Sequence, residues 1–346
     1  MTAGVRRLLA TYRLQLHRDF TFAQAAAITP YLRGLGVSHA YTSPITRARS
    51  GSNHGYDVVD PTEVNPDLGG ERGRVTFVRR LHREGLGLLL DIVPNHMGTG
   101  SENPFWEDVL THGAGSRYAR WFDIRWGSAD ELLAGRILLP VLGDKFTRAL
   151  ERGEITVEFS HRGIRVRYFD KEFPADPATI PMLLAPVSAG RGVPRLAARD
   201  RSSLETILTE LQALPPRAPP EVASRNGAAA APRSSAAEPP LRRLSVLWKR
   251  SPTVRRYVER RLAGLTMGTA NRERLRAFLD AQPYRLAHWK RAARLINYRR
   301  FFDINELAAV RVEDPAVFAA THALILEWVR RGETDGLRID HVDGLL

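Results

Sequence analysis

The chain has 346 residues, a length that predicts about two domains. Its hydrophobic content of 43%, with 26% charged residues, is typical of a globular protein with a sizeable core and excludes collagen-like, coiled-coil and wholly disordered chains. The lack of cysteine excludes disulfides, thiolate metal sites and cysteine nucleophiles. No apolar run approaches the ~20 residues that span a bilayer, and the first residues lack a secretory signal. We therefore expect a cytoplasmic protein with no membrane partner.

The formal net charge of +13 is carried by arginine, because only four of the 51 basic residues are lysine. A basic chain can indicate a nucleic-acid partner. Here, however, the arginines are spread along the whole sequence and are not gathered in one stripe with aromatic residues between them. We interpret the charge as a compositional arginine bias on solvated faces and expect no nucleic-acid partner; nucleic-acid binding remains the alternative.

Strands and helices alternate along the first hundred residues. Short apolar runs predict three strands, at Tyr12–Leu16, Val37–Tyr41 and Leu86–Val93. Thr21 is expected to cap a helix that ends before Gly36. Apolar residues spaced by threes and fours predict a second helix that stops at Gly85. Residues 43–70, rich in Gly, Ser, Asn and Pro, are expected to form a loop.

The same alternation returns near the other end of the sequence. Asp314-Pro315 begins a predicted helix, Gly332 follows its end, and Gly336–Asp340 is a fourth predicted strand. This alternation predicts an α/β fold with parallel strands and right-handed crossovers. Four such units fit half of a (β/α)8 TIM barrel or part of a doubly wound sheet, and periodicity alone does not distinguish the two.

A long interruption separates the third strand from the helix that follows it. Residues 95–314 far exceed a normal βα loop and predict an inserted domain, so the expected domains are 1–94, 95–314 and 315–346. The insert begins with an alternating pattern at Glu154–Tyr168 that predicts a hairpin. Its later part is predicted to be helical, at Arg242–Leu262, Arg272–Ala281 and Arg285–Arg294. Pro215–Pro240 has almost no large apolar residue and is expected to be a disordered surface loop.

Polar side chains cluster where the predicted parallel strands end, which is where parallel barrels carry their catalytic groups. The clusters follow the second, third and fourth strands and comprise His54, Tyr56 and Asp57; Asp91, Asn95 and His96; and Arg338, Asp340 and His341. All three are expected to open onto one rim.

Arg338 and Asp340 are the most informative pair. Two residues apart on a strand, they point to the same face. A buried guanidinium and carboxylate are costly unless each is paired. Arg338 would favour the ionised form of Asp340, as a carboxylate nucleophile requires, and Asp91 on the neighbouring strand would be its second partner.

The histidines of the rim do not predict a metal site. His96 and His341 lack the spacing of a known ligand cluster, so we expect hydrogen bonds to sugar hydroxyls and no metal. Tyr56 is either a core aromatic or a platform for a sugar ring. Trp106, Trp121 and Trp126 either line a saccharide groove or pack in the core.

Two of these motifs, DIVPNH and GLRIDH, resemble signature regions of the α-amylase superfamily of glycoside hydrolases. Longer segments, TYRLQL, SPITRARSGSNHGYDVVDPTEVNPDLGG and NYRRFFDINELAAVRVE, are similar to the maltooligosyltrehalose synthase family. The resemblance runs from Thr11 to Leu346 and is broken mainly by the Pro/Ala-rich loop. It favours the barrel, with strands 1–4 present and a large domain inserted after strand 3.

The resemblance implies an isomerase that works by retaining double displacement at the reducing end of a maltooligosaccharide. It converts an α-1,4 linkage into an α,α-1,1 linkage, as in trehalose biosynthesis, without a metal or organic cofactor. By motif, Asp340 matches the nucleophile, and Arg338 with Asp91 matches the pair that orients it. The remaining rim residues match sugar-binding positions: His54, Tyr56, Asp57, Asn95, His96 and His341. The insert is the candidate for enclosing the intermediate against water.

The sequence departs from the family pattern after Asp340. It ends at Leu346, whereas family members continue with four more strands. Those strands carry a general-acid Glu and a second Asp, whereas retaining chemistry needs two carboxyls ~5 Å apart. We therefore expect this chain alone to be inactive and to need the missing half of the barrel as a partner.

Two other functions remain open. The first is another α-glucan-acting hydrolase or transferase of the superfamily. The second is a non-catalytic glucan-binding remnant.

Overall fold

The computed structural model describes residues 7–127, 133, 135–187, 193–217 and 231–345. Its strands, numbered along the chain, are β1 (Thr11–Leu14), β2 (His39–Thr42), β3 (Thr46–Ala48), β4 (Val58–Val64), β5 (Gly87–Ile92), β6 (His96–Gly98), β7 (Ile137–Leu142), β8 (Ile155–Ser160), β9 (Gly163–Tyr168), β10 (Lys171–Pro174), β11 (Tyr284–His288), β12 (Arg300–Phe301), β13 (Ile304–Ala309) and β14 (Gly336–Ile339). Its helices are α1 (Phe22–Ala27), α2 (Thr29–Gly34), α3 (Gly70–Arg83), α4 (Pro104–His112), α5 (Phe146–Glu151), α6 (Ile180–Leu184), α7 (Ala198–Gln212), α8 (Ala231–Arg250), α9 (Pro252–Ala263), α10 (Thr269–Asp280), α11 (Ala292–Leu295) and α12 (Pro315–Arg330). Within these ranges, none of the helices has both the length and the apolar character needed to cross a membrane.

The chain divides into two compact units. Unit 1 comprises Met1–Pro104, Trp121–Asp123 and Arg299–Leu346, and unit 2 comprises Phe105–Arg120 and Ile124–Tyr298. The inserted region predicted at 95–314 is wider than unit 2. The difference arises because β6 and β13 lie near the two ends of the predicted insert and pair antiparallel with each other inside unit 1.

A four-stranded parallel sheet, in the order β1-β2-β5-β14, forms the centre of unit 1. The four predicted strands are therefore present and parallel, and each differs from its predicted bounds by at most a few residues. Strand β5 alternates strictly, with Leu88, Leu90 and Ile92 in the apolar core and Asp91 on the other face.

The core of unit 1 lies between this sheet and helices α1, α3 and α12. Phe22 of α1 stacks on Phe77 of α3, with ring centroids 6.0 Å apart. Arg74 of α3 is buried, lies 4.4 Å from the Trp328 ring of α12 and hydrogen-bonds to Glu333 at 2.6 Å. These contacts fix two crossover helices on one face of the sheet.

The first predicted helix is capped as expected but divided in two. Thr21 accepts from the backbone N–H of Ala23, and the Gln24 side chain accepts from the backbone N–H of Thr21, which completes a capping box. The helix breaks at Ile28, because Pro30 has no N–H to donate to the Ala26 carbonyl. The Thr29 hydroxyl donates to that carbonyl instead, at 3.0 Å.

The loop predicted at 43–70 is partly wrong, since it contains the antiparallel pair β3–β4. Pro61 and several polar residues within β4 hide its period-two pattern. The turn between these strands carries the predicted rim residues His54 and Tyr56.

Unit 2 combines two small sheets with helices α4–α11. The predicted hairpin at 154–168 is confirmed as β8–β9, and β10 adds a third antiparallel strand. The prediction of a helix at Arg285–Arg294 is wrong for its first part, because Tyr284–His288 is strand β11, parallel to β7. The helix predicted at Arg242–Leu262 is two helices, α8 and α9, separated at Ser251, whose side chain caps α9.

The loop predicted at Pro215–Pro240 is contradicted at its end. Residues 231–240 form the first half of α8, with Ala237 and Pro240 buried. Residues 218–230 of that prediction lie outside the described residues. A compositional argument missed the helix because its buried positions, spaced by three and four residues, are Arg233, Ala237 and Pro240, and none of these is a large apolar side chain.

Candidate active site

The register of the parallel sheet assembles one polar face opposite the core. Arg13 of β1 pairs with Tyr41 of β2, and Asp91 of β5 pairs with Arg338 of β14. Since side chains alternate along a strand, all four lie on the face away from the crossover helices. The predicted neighbourhood of Asp91 and Arg338 is therefore present in the structure.

Arg338 is shared between two carboxylates. Its Nη1 lies 3.0 Å from Asp91 Oδ1 and 2.5 Å from Asp340 Oδ1. The side chain of Asp91 is fully buried, that of Asp340 is 13% exposed, and that of Arg338 is 43% exposed. The hydrogen bond to Asp91, followed by that to Asp340, raises the pKa of Arg338, so the guanidinium stays charged. The hydrogen bond from Arg338 fixes the orientation of Asp340, while the Arg338 side chain stays partly exposed to solvent.

Two tyrosines complete the environment of Asp91. The hydroxyls of Tyr41 and Tyr56 both donate to Asp91 Oδ2, at 2.9 and 2.6 Å. Arg13 in turn donates to the Tyr56 hydroxyl at 3.2 Å. Burial, and then the hydrogen bond to Asp91, raises the pKa of Tyr56 to about 12, so this hydroxyl remains a donor across the neutral range. The result is a continuous chain of donors and acceptors from Arg13 to Asp340.

Arg13 and Tyr41 were missed by the sequence analysis. The available signal was their position, because each lies near the end of a predicted strand, on the same strand face as the polar cluster. Tyrosine is common in strands for packing reasons alone, which concealed its role.

The backbone after Asp340 is held by the motif that follows β5. The Asn95 side chain donates to the carbonyl of Asp340 at 2.7 Å and lies 3.3 Å from that of His341. His341 adopts a left-handed conformation (φ 50°), uncommon for a residue other than glycine. Asn95 thus satisfies the carbonyls that the turn would otherwise leave without partners.

His96 is buried beneath this turn. Its Nε2 lies 3.0 Å from the carbonyl oxygen of Tyr56, to which it donates, and its Nδ1 lies 2.5 Å from Asn95 Oδ1. A protonated ring would also donate to Asn95 Oδ1. Burial of the ring has the larger effect, however, and lowers the pKa of His96 to about 4. His96 is therefore neutral near pH 7 and joins β6 to the β3–β4 turn.

The other predicted rim residues lie around this centre. Asp57 accepts from the Ser52 hydroxyl at 2.5 Å, and His54 Nδ1 lies 3.8 Å from Asp57 Oδ1. Phe301, which the sequence analysis also missed, lies 4.1 Å from the His96 ring and 4.7 Å from the His341 ring, measured between centroids. Phe301 lies in β12, which pairs with β13, and β13 pairs with β6; this sheet brings Phe301 there, although it is about 200 residues away from His96 in sequence.

A tryptophan-lined saccharide groove is not supported. Trp106 and Trp126 are buried in unit 2, at 0% and 6% exposure, and pack as core residues. Trp121 belongs to unit 1. Among the described residues, no group of three or more His, Asp or Glu side chains is arranged to hold a metal ion.

Comparison with known proteins shows what the chain is similar to. The family profile of the α-amylase catalytic domain matches residues 28–141. A Mycobacterium tuberculosis protein named maltooligosyl trehalose synthase is 34% identical over 345 residues, which are 98% of this chain and 31% of that protein. The solved structure of maltooligosyltrehalose synthase from Arthrobacter ramosus superposes with a TM-score of 0.63 and 34% identity, over 97% of this chain and 31% of that one.

A second group of relatives is similar over a shorter segment. A cyclomaltodextrinase from Geobacillus thermopakistaniensis is 45% identical over 95 residues, or 28% of this chain. The chain itself spans about a third of the length of the synthases that it matches. It is therefore similar to the α-amylase catalytic domain over residues 28–141 and, along nearly its whole length, to an N-terminal portion of the maltooligosyltrehalose synthases.

Proposed function

We propose that this chain carries the nucleophile side of a maltooligosyltrehalose synthase active site, and that its parallel sheet is the first half of a (β/α)8 barrel. The observation that carries the proposal is the sharing of Arg338 between Asp91 and Asp340, at 3.0 and 2.5 Å. The similarity to synthases over 98% of the chain supports this activity over that of the cyclodextrin-acting relatives, which match 28%.

In the proposed reaction Asp340 attacks the anomeric carbon of the glucose unit that precedes the reducing end. The C1–O4 bond breaks, the departing terminal glucose takes a proton on O4, and a glycosyl ester forms on Asp340. The anomeric hydroxyl of the retained terminal glucose then attacks the same carbon and gives its proton to the residue that acted as general acid, which releases Asp340 and forms the α,α-1,1 linkage.

The chain's own residues prepare the nucleophile. Arg338 fixes one Asp340 oxygen, and Asp91, held by Tyr41 and Tyr56, fixes Arg338. Because these groups are positioned before the substrate arrives, little reorganisation is needed when charge develops.

The remaining rim residues are proposed to contact the maltooligosaccharide. Tyr56 offers an aromatic ring, while Asp57, His54 and His341 offer polar edges beside the Asp340 turn: His54 is half-exposed, and the other two are partly exposed. Asn95 and His96, which match sugar-binding positions of the family, direct their polar atoms at protein groups. We propose that these two act on the sugar chiefly by positioning Asp340 and Tyr56.

The general acid is proposed to come from outside the residues described here. A retaining mechanism needs a second carboxyl ~5 Å from the nucleophile. Asp91, which shares Arg338 with Asp340, does not fill this role, because its oxygens are already engaged by Arg338 and two tyrosines. We therefore propose that the chain depends on a polypeptide partner that supplies the acid, and that it works in the cytoplasm, which its lack of cysteine supports.

Product analysis tests this proposal. Purified chain incubated with maltopentaose should yield no trehalosyl product alone. With the remaining two thirds of a synthase relative added as a separate polypeptide, it should yield a non-reducing product, and Asp340→Asn should abolish that product. New reducing ends would instead indicate the hydrolase alternative, and trehalosyl product from the chain alone would refute the dependence on a partner.

A further inference from the structure

Unit 2 contains a cavity of about 740 Å³ that the proposed reaction does not use. It is bounded by helix α4, the β8–β9 hairpin and helix α8. Its volume falls within the roughly 300–1,000 Å³ that small-molecule sites occupy.

Two deeply buried polar side chains line this cavity, and each has one polar atom enclosed by protein. Arg165 is 2% exposed and donates from both terminal nitrogens to Glu107, at 2.6 and 2.9 Å, but its Nε has no partner among the described residues. His112 is 7% exposed, and its buried Nδ1 likewise has no partner within the described part of the chain. Leaving such groups unsatisfied destabilises the fold, so their position in the wall of this cavity indicates a role other than stability.

The charges around the cavity balance one another. Four arginines (Arg117, Arg162, Arg165 and Arg242) line it, together with three carboxylates (Glu107, Asp108 and Glu238), and a fourth carboxylate, Glu172, bonds Arg162 at 2.5 Å. Burial lowers the pKa of His112, so its ring is neutral near pH 7. A cavity with matched guanidinium and carboxylate groups offers fixed donors and fixed acceptors but no net charge. This favours a neutral, polyhydroxylated ligand over an anion.

The cavity also provides an aromatic surface. Phe159 is half-buried, lines the cavity and stacks on Trp248, with ring centroids 5.0 Å apart. A rigid ring beside fixed donors and acceptors matches a sugar, whose C–H face is apolar and whose edge carries hydroxyls.

We propose that this cavity is a second, non-catalytic binding site for a neutral sugar, formed within unit 2 by α4, the β8–β9 hairpin and α8. Arg165, Glu107 and His112 supply the donors and acceptors, and Phe159 supplies the apolar face. The site goes beyond the proposed transglucosylation and does not depend on it.

Calorimetric titration of the full chain with maltotriose tests the proposal. The variant Tyr56→Ala removes the aromatic ring of the proposed active-site rim, so binding that persists in this background and is weakened by cavity variants reports the second site. We expect saturable binding in Tyr56→Ala that weakens at least about tenfold when His112→Phe or Phe159→Ala is added. Trp289→Ala, which truncates an exposed aromatic residue of unit 2 outside the cavity, should leave binding unchanged.

Three results would overturn the proposal: no binding in the Tyr56→Ala background, binding unaffected by both cavity variants, or binding of inorganic phosphate that displaces maltotriose. If His112→Phe does not fold, Phe159→Ala carries the test, because its ring is only half-buried. The outcome is separate from that of the proposed function, since loss of trehalosyl product with Asp340→Asn leaves this site intact.

Discussion

Removing the tyrosine hydroxyls that hold Asp91 tests whether the polar face of unit 1 is built around a charged carboxylate. Tyr41→Phe and Tyr56→Phe each delete one donor to Asp91 Oδ2, at 2.9 and 2.6 Å, while keeping the ring. A hydrogen bond to a charged group contributes about 1.5–3 kcal/mol. Because both rings are partly exposed, we expect the lower end, about 1.5 kcal/mol for each variant.

The double variant should cost more than the sum of the single variants. With one hydroxyl removed, Oδ2 still has the other, but with both removed Arg338, at 3.4 Å, is the partner left to this buried oxygen among the described side chains. We expect a coupling energy of about 1 kcal/mol. Hydrogen exchange of the β5 amides, measured by mass spectrometry, reports the opening free energy of this sheet, and each single variant should exchange about tenfold faster.

The matched control is Tyr31→Phe, since this ring is 59% exposed and should change exchange little. Exchange rates within twofold of the parent in both single variants and in the double variant would refute the inference that Asp91 needs these donors.

Two further predictions concern pH and helix capping. Because the pKa of His96 is lowered from 6.5 to about 4, the unfolded chain binds a proton that the folded chain does not; stability should therefore fall as pH drops from 6.5 to 4, by about 3 kcal/mol in all. His96→Gln should flatten this slope in urea unfolding at a series of pH values, and an unchanged slope would contradict the assignment. Thr21→Ala should destabilise unit 1 by about 1 kcal/mol through loss of the cap. In the same assay Thr76→Ala, an exposed helix-interior control, should be neutral or stabilising, and equal losses in both variants would argue against the cap.

The parallel strands of unit 1 could be predicted because their signals are local. Leu86–Val93 is an apolar run, interrupted only by Gly87 and Asp91, between a glycine and a proline, and Thr21 is followed three residues later by Gln24, so each element carries its own start and stop. The proximity of Arg338 and Asp340 could be predicted for a similar reason, since the alternation of side chains along a strand places both on one face.

Elements that depend on distant pairing could not be found this way. The segment Tyr284–His288 is a strand because it pairs with β7, about 150 residues earlier, and the charged residues after it favour a helix in any local window. The same holds for Phe301 of β12, which reaches His96 through the β12–β13 and β13–β6 pairings. Sequence periodicity contains no information on such contacts.

Trapping the proposed glycosyl ester tests the central claim most directly. A 5-fluoro-α-maltosyl fluoride carries a leaving group that needs little proton donation, so Asp340 can react without the general acid. After incubation with this reagent, peptide mass spectrometry should find one maltosyl derivative on Asp340, absent from Asp340→Asn and retained in Asp343→Asn, a control at an 81% exposed carboxylate nearby. An unlabelled chain, or a label that persists in Asp340→Asn, would contradict the account.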